Sequence, residues 1–172
     1  MENEPFFQRS GRPVPEAAVL LIDLDNFKSI NDRFGHAFGD RVLQMFAATA
    51  CRAIRSSDFV GRLGGEEFAV VLHGLARERA PAVAERIRNA FAAEAEVIEG
   101  QNVGATVSIG LAVHDGSAIA FTELLWKADR ALYRAKEGGR NRVEWAIPDF
   151  YSRAQDGGLP LVPALPATQS VA

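Results

Sequence analysis

"GRLGGEEFAVVL", residues 61–72, decides how this chain is read. Two glycines and then two carboxylates, Glu66 and Glu67, stand where one apolar run gives way to the next. The glycines would suffice for a hairpin turn between strands at residues 59–63 and 68–72. Paired like charges in a tight turn repel, so they call for a cation close by. The rest of the chain has to supply what holds that cation.

One other acidic group is placed to do so. "AVLLIDL", residues 18–24, is an apolar run of strand length and is expected to be a buried central strand, ending at Asp23. If this strand neighbours the hairpin, Asp23, Glu66 and Glu67 converge from two distant segments. Such a set favours a hard divalent cation with oxygen ligands, and magnesium suits it because it keeps waters and accepts phosphate oxygens. The glycines would let a triphosphate approach the backbone. The plainer reading is a solvated acidic hairpin tip.

The remaining elements follow from periodicity. Helices are expected at residues 40–55, 81–95 and 121–137, the last closed by Gly138 and Gly139. Strands are expected at 105–113 and 142–145. In the first helix, Asp40 suits the first turn and Arg55 the last. Residues 23–40 read as a polar loop between strand and helix. The order strand, helix, hairpin, helix, strand, helix predicts an α+β domain, helices over a mainly antiparallel sheet. Residues 1–17 read as a ragged lead-in, 18–147 as the domain and 148–172 as a disordered, Pro- and Ala-rich tail.

Bulk properties exclude other classes. At 172 residues the chain is most simply one domain, and its net charge of −3 offers no footprint for nucleic acid or an anionic membrane. No stretch approaches a membrane span and the N-terminus lacks the layout of a secretory signal. One cysteine, Cys51, cannot form an internal disulfide. A reducing, cytoplasmic compartment fits. Cys51 reads as a small core residue, Trp126 and Tyr133 as packing residues, and His73 and His114 as strand-end polar residues.

Two further stretches carry chemistry. In "DLDNFKSINDRFGHAFGD", residues 23–40, Asn31 and Asp40 can serve a base edge. A carboxylate accepts from the amino and ring N–H of guanine, and an amide supplies donor and acceptor. Read alone, the two are equally a turn residue and a helix charge. In "YRAKEGGRN", residues 133–141, Lys136 and Arg140 flank a helix end, where cations complement the dipole or bind a polyanion.

Together these stretches resemble the GGDEF family, the diguanylate cyclases. The signature stands here as GGEEF, residues 64–68, behind DLDNFKSINDRFGHAFGD and ahead of SIGLAV (108–113) and ADRALYRAKEGGRN (128–141). The resemblance spans residues 18–145, and four motifs in order are specific where one would be weak. It implies a palm-like fold with a ferredoxin-like βαββαβ core, related to adenylate cyclase catalytic domains. It implies condensation of two GTP into cyclic di-GMP with release of two pyrophosphates, in a homodimer of facing domains.

Carried over by position, the resemblance makes Asp23, the backbone carbonyl of Leu24, Glu66 and Glu67 ligands of magnesium, or of manganese in its place. Glu66 and Glu67 also activate the 3′-hydroxyl. Asn31, Asp40 and His36 line the guanine pocket, so adenine should be rejected. Lys136 and Arg140 contact the triphosphate, assisted by Lys28. "RSSD", with Arg55 nine positions before Gly64, matches the family's RxxD inhibitory motif. With Arg86 and Asp58 it implies a site where cyclic di-GMP slows turnover. The family's DxLTGLxNR segment does not precede the first strand, which fits a fragment or a start at an internal methionine, with an upstream sensor or dimerising domain outside this chain. Two rivals stand beside the cyclase: a weakly catalytic module that binds GTP or cyclic di-GMP as a sensor, and a palm-type transferase with another product.

Overall fold

A computed structural model describes residues 17–75, 77–114 and 121–146. The expectations for the lead-in, Ala17 excepted, and for the tail lie outside the described residues. The elements run β1 (Ala17–Leu24), α1 (Phe27–Phe34), α2 (His36–Arg52), β2 (Phe59–Gly64), β3 (Glu67–His73), α3 (Ala80–Glu94), β4 (Val97–Ile98), β5 (Gln101–Asn102), β6 (Val107–His114), α4 (Phe121–Glu137) and β7 (Val143–Trp145).

Five strands form one sheet in the order β2-β3-β1-β6-β7. β1 lies antiparallel between β3 and β6, β2 is antiparallel to β3, and only β7 joins in parallel. β1 therefore has hydrogen-bonded neighbours on both sides and helices on both faces. Its apolar run from Ala17 to Ile22 follows from that, and all eight residues, Asp23 included, are buried. Omitting β7, the strand order is that of a ferredoxin-like fold, an α+β domain as expected.

Alternation along the strands sorts the core into two layers. Leu20, Ile22, Phe68, Val70, Ile109 and Leu111 share the larger cluster with Phe46 of α2 and Phe91 of α3. Phe46 makes ring contacts with Phe68 at 4.7 Å and with Phe91 at 5.2 Å, edge to face. Val19, Leu21, Ala69 and Ala112 face the other way and pack under Leu124, Ala128 and Leu132 of α4.

Residues 23–40 depart from expectation. They hold the whole of α1 and the start of α2, not a loop. Phe27, Ile30 and Phe34 stand at helical spacing on α1, with Phe27 and Ile30 buried, and Phe34 stacks on Phe38 of α2 at 4.8 Å. Gly35 (φ 85°, ψ 157°) breaks the two helices apart in a conformation only glycine adopts freely. α2 thus begins at His36, Asp40 lies a turn inside it, and it ends at Arg52, leaving Arg55 beyond the helix.

Other corrections concern exposure. Cys51 is exposed on α2, not in the core. Trp126 and Tyr133 are 52% and 65% exposed, because α4 buries its face of Leu124, Ala128, Ala131, Leu132 and Ala135 instead. His73 and His114 close β3 and β6 as expected, and His114 is fully buried. No helix among the described residues is long and apolar enough to cross a membrane.

α2 and α3 are also clamped by polar groups. Glu94 accepts from the Thr49 hydroxyl at 2.5 Å and from Arg52 at 2.6 Å. The Thr49 hydrogen bond, then Arg52, hold the Glu94 carboxyl below the ordinary glutamate value of 4.5. A lowered value means the fold favours the carboxylate. Its stabilisation is present above pH 4.5 and fades as pH falls through the folded value. The clamp is largely solvent-exposed, so E94Q is expected to cost only about 0.5–1 kcal/mol at neutral pH. Urea melts of parent and variant should differ at pH 7 and converge in acid; a gap that persists in acid would contradict the assignment.

Candidate active site

The hairpin turn and the end of β1 meet. Asp23 lies directly opposite Glu67 in the antiparallel ladder, and the Leu24 N–H donates to the Glu66 carbonyl at 3.3 Å. Opposed residues in such a ladder are about 5 Å apart at Cα and point to the same face. The turn itself is held rigidly. Gly65 takes φ 51°, and the Arg62 guanidinium donates twice to the Gly65 carbonyl, at 2.9 and 2.6 Å. A register shift between Arg62 and Gly64 completes the bend.

The nearest cation comes from α4. Lys136 Nζ lies 2.7 Å from Asp23 Oδ2. Burial pushes the Asp23 carboxyl above the ordinary aspartate value of 3.8, the Lys136 hydrogen bond and charge pull it down, and the charges of Glu66 and Glu67 add to the rise. Three carboxylates and one ammonium thus share a single electrostatic neighbourhood. No three acidic, His or Cys side chains among the described residues close around a point as a ready-made metal cage. The carboxylates in this neighbourhood are oxygen donors, the ligand type that hard divalent cations take.

Arg140 and Asn141 follow α4 with positive φ, 63° and 45°, and the Arg140 N–H donates to the Ala135 carbonyl at 3.0 Å. The Arg140 side chain is exposed on the turn that follows Lys136.

The expected base-reading residues gather on α1 and α2. Asn31 is half-buried, and its Oδ1 occupies the space over Gly39, only 1.9 Å from where a Cβ there would sit. Glycine at 39, one residue before Asp40 on α2, therefore makes room for the Asn31 amide. Lys28, His36 and Asp40 are exposed on the same pair of helices.

Arg55, Asp58 and Arg86 line a cavity of about 310 Å³, together with Leu75, Glu78 and Arg79. Two of the expected residues also have local work. Asp58 accepts from the Arg55 N–H at 3.0 Å and the His73 N–H at 3.1 Å, and Arg86 donates to the Ala53 carbonyl at 3.0 and 2.6 Å. Arg79 and Glu78 were missed in the sequence. Arg79 stands seven residues before Arg86, at the N-cap of α3, and that spacing was the available signal. Asp25, buried and hydrogen-bonded, was given no role either.

A ferredoxin-like sheet with an acidic strand end, a glycine turn and a cationic helix end defines a palm-like domain. The family model described as diguanylate cyclase, GGDEF domain, matches residues 6–142. This chain belongs to the GGDEF family. It is 38% identical over 143 residues to diguanylate cyclase A of Treponema denticola, covering 83% of this chain and 38% of that one. The active GGEEF domain of a diguanylate cyclase from Vibrio cholerae superposes with a TM-score of 0.72 at 39% identity, covering 78% of this chain and 85% of that one. The GGDEF domain of DgcB from Caulobacter crescentus, solved in complex with c-di-GMP, gives 0.70 at 33%, covering 76% and 78%. The chain spans about two fifths or less of the curated relatives it matches.

Proposed function

We propose that this chain is a diguanylate cyclase domain that condenses two GTP into cyclic di-GMP. The observation that carries the reading is the ladder position of Asp23 opposite Glu67, with Lys136 reaching the same carboxylate from α4. The names of the relatives and the c-di-GMP complex of a structural neighbour support it.

Each domain holds one GTP, and two domains face each other. Asn31 and Asp40 read the guanine edge, with His36 lining the pocket. Lys136 exchanges Asp23 for the triphosphate, which Arg140 grips with its planar fork, and Lys28 assists. The 3′-hydroxyl of one GTP attacks the α-phosphorus of the other. A P–O bond forms, the bond to the bridging oxygen of the β-phosphate breaks, and pyrophosphate leaves. Glu66, with Glu67, accepts the hydroxyl proton. Magnesium, or manganese in its place, held by Asp23, the Leu24 carbonyl, Glu66 and Glu67, would neutralise charge on the phosphates. The second bond forms in the same way with the roles reversed.

The cavity lined by Arg55, Asp58 and Arg86 takes the product. Arginine stacks on guanine and pairs with phosphate, and cyclic di-GMP bound there slows turnover. Arg79 adds a third guanidinium to this dianion site.

Incubation with GTP and magnesium over a range of protein concentrations tests the reading. Chromatography should resolve cyclic di-GMP and pyrophosphate, at a rate rising more steeply than the first power of protein concentration. Added cyclic di-GMP should slow it. Bound GTP with no cyclic product at any concentration would make the chain a binding module.

The guanine pocket gives a sharper check. A Cβ at position 39 would strike the Asn31 amide, which can swing away, and would press on the buried Phe27 ring at 3.1 Å, which has to give by a few tenths of an ångström. Gly39→Ala is therefore expected to fold and to lose roughly tenfold in GTP affinity, the order of one displaced hydrogen bond to the base. Calorimetry showing parent-like affinity would remove Asn31 from the pocket.

A further inference from the structure

Asp25 is 5% exposed, and no ion pair reaches it among the described residues. Three hydrogen bonds hold it instead. Oδ1 accepts from Ser108 Oγ at 2.6 Å, and Oδ2 accepts from Thr106 Oγ1 at 2.7 Å and from the backbone N–H of Asn141 at 3.0 Å. Its own N–H donates to the Thr106 carbonyl at 2.9 Å. Three of a carboxylate's four or so acceptor positions are thus filled by donors from this chain.

The last of these bonds matters most. Arg140 and Asn141 both have left-handed backbone, which residues carrying a Cβ disfavour and which persists only where the surroundings enforce it. The Asn141 N–H is tied inward to Asp25. Its side-chain oxygen is tied outward, accepting from Arg88 Nη1 of α3 at 2.6 Å. The turn that presents Arg140 is therefore clamped between the end of β1 and α3.

We propose that Asp25 is a positioning residue. It anchors the turn after α4, and so sets where Arg140 meets a nucleoside triphosphate, without itself contacting metal or phosphate. The inference rests on the cyclase reading for the ligand, but the anchoring stands on the geometry alone.

Asp25→Ala and Asp25→Asn separate this from a ligand role. Asparagine can keep all three bonds, since its carbonyl accepts from Thr106 and Asn141 while the Ser108 hydroxyl rotates to accept from the amide. Binding of 3′-deoxy-GTP, which lacks the attacking hydroxyl, is compared with binding of GMP in the presence of magnesium, and amide exchange is followed at Asn141. In Asp25→Ala the preference for triphosphate over monophosphate should fall by roughly ten- to a hundredfold, the scale of a contact misplaced by about an ångström. Exchange at Asn141 should speed up alongside. A general loss of stability would weaken both nucleotides alike and leave their ratio untouched. Asp25→Asn should keep both the ratio and the protection.

An unchanged ratio in Asp25→Ala overturns the proposal. Should that variant fail to fold, Asp25→Asn decides: a loss of turnover as deep as that of Asp23→Asn would make Asp25 a metal ligand. A parent that shows no triphosphate preference would sink the cyclase reading, and exchange at Asn141 would then judge the anchor by itself.

Discussion

Glu66→Gln is expected to abolish cyclic di-GMP formation while leaving the chain folded. A general base contributes roughly 10²–10⁴ in rate, and loss of a charge aimed at the reacting phosphate adds to that. A fall of at least about a thousandfold is therefore expected. Glutamine keeps the shape of the side chain. The turn does not depend on the carboxylate either, since Gly65, the Arg62 guanidinium and the Leu24–Glu66 backbone bond hold it. Thermal melting should stay at or slightly above the parent's, because Glu66 is one of the charges that oppose ionisation of Asp23. Product chromatography together with a melt tests both halves. Glu67 is the strict ladder partner of Asp23, whereas Glu66 stands in the turn and is half-buried. Turnover within tenfold of the parent in Glu66→Gln, with Glu67→Gln inactive, would transfer the essential role to Glu67.

The pairing of the end of β1 with the hairpin turn behind that expectation is legible in the sequence. An apolar run ending in aspartate and a glycine turn followed by two glutamates were enough to place the groups, given that the strands are neighbours. The ladder then put Asp23 opposite Glu67. The cation beside them was less legible. Lys136 read as a helix-end charge or a phosphate contact, and its approach to Asp23 depends on how α4 crosses the sheet. α1 was missed although Phe27, Ile30 and Phe34 carry helical spacing, because glycines at 35 and 39 resemble loop signals. One of them does break the chain, while the other lies inside α2 to make room for Asn31. Asp25 could not have been read at all. Its partners lie 81, 83 and 116 residues away, and nothing local marks them. Long-range polar contacts of this kind have no periodicity, whereas faces of strands and helices do.

Gly110→Ala carries the second large effect, and it tests how α4 is held. A Cβ at Gly110 would lie 2.1 Å from the Ala128 carbonyl oxygen, 2.2 Å from the Leu132 nitrogen and 2.8 Å from the Leu132 Cα. These are backbone atoms in the middle of a helix, so no rotamer change can make space. The helix has to lift from the sheet. Leu124, Ala128 and Leu132 would then lose their fit on Val19, Leu21 and Ala112, and the far end of the same helix carries Lys136 to Asp23. Overpacking typically costs 1–3 kcal/mol, and a clash with rigid backbone belongs at or above the top of that range, about 3 kcal/mol. For a domain of this size that corresponds to a melting temperature lower by roughly 10 °C. Gly64→Ala is the control, because a Cβ there meets nothing within 4 Å and the backbone needs no positive φ. Its melt should stay within about half a kcal/mol of the parent. Gly110→Ala should also lose triphosphate affinity, since a helix lifted at its midpoint no longer delivers Lys136 and the Arg140 turn to one place. A Gly110→Ala melt superimposable on the parent's would mean that α4 does not seat directly on β6, and the geometry that brings Lys136 to Asp23 would have to be given up.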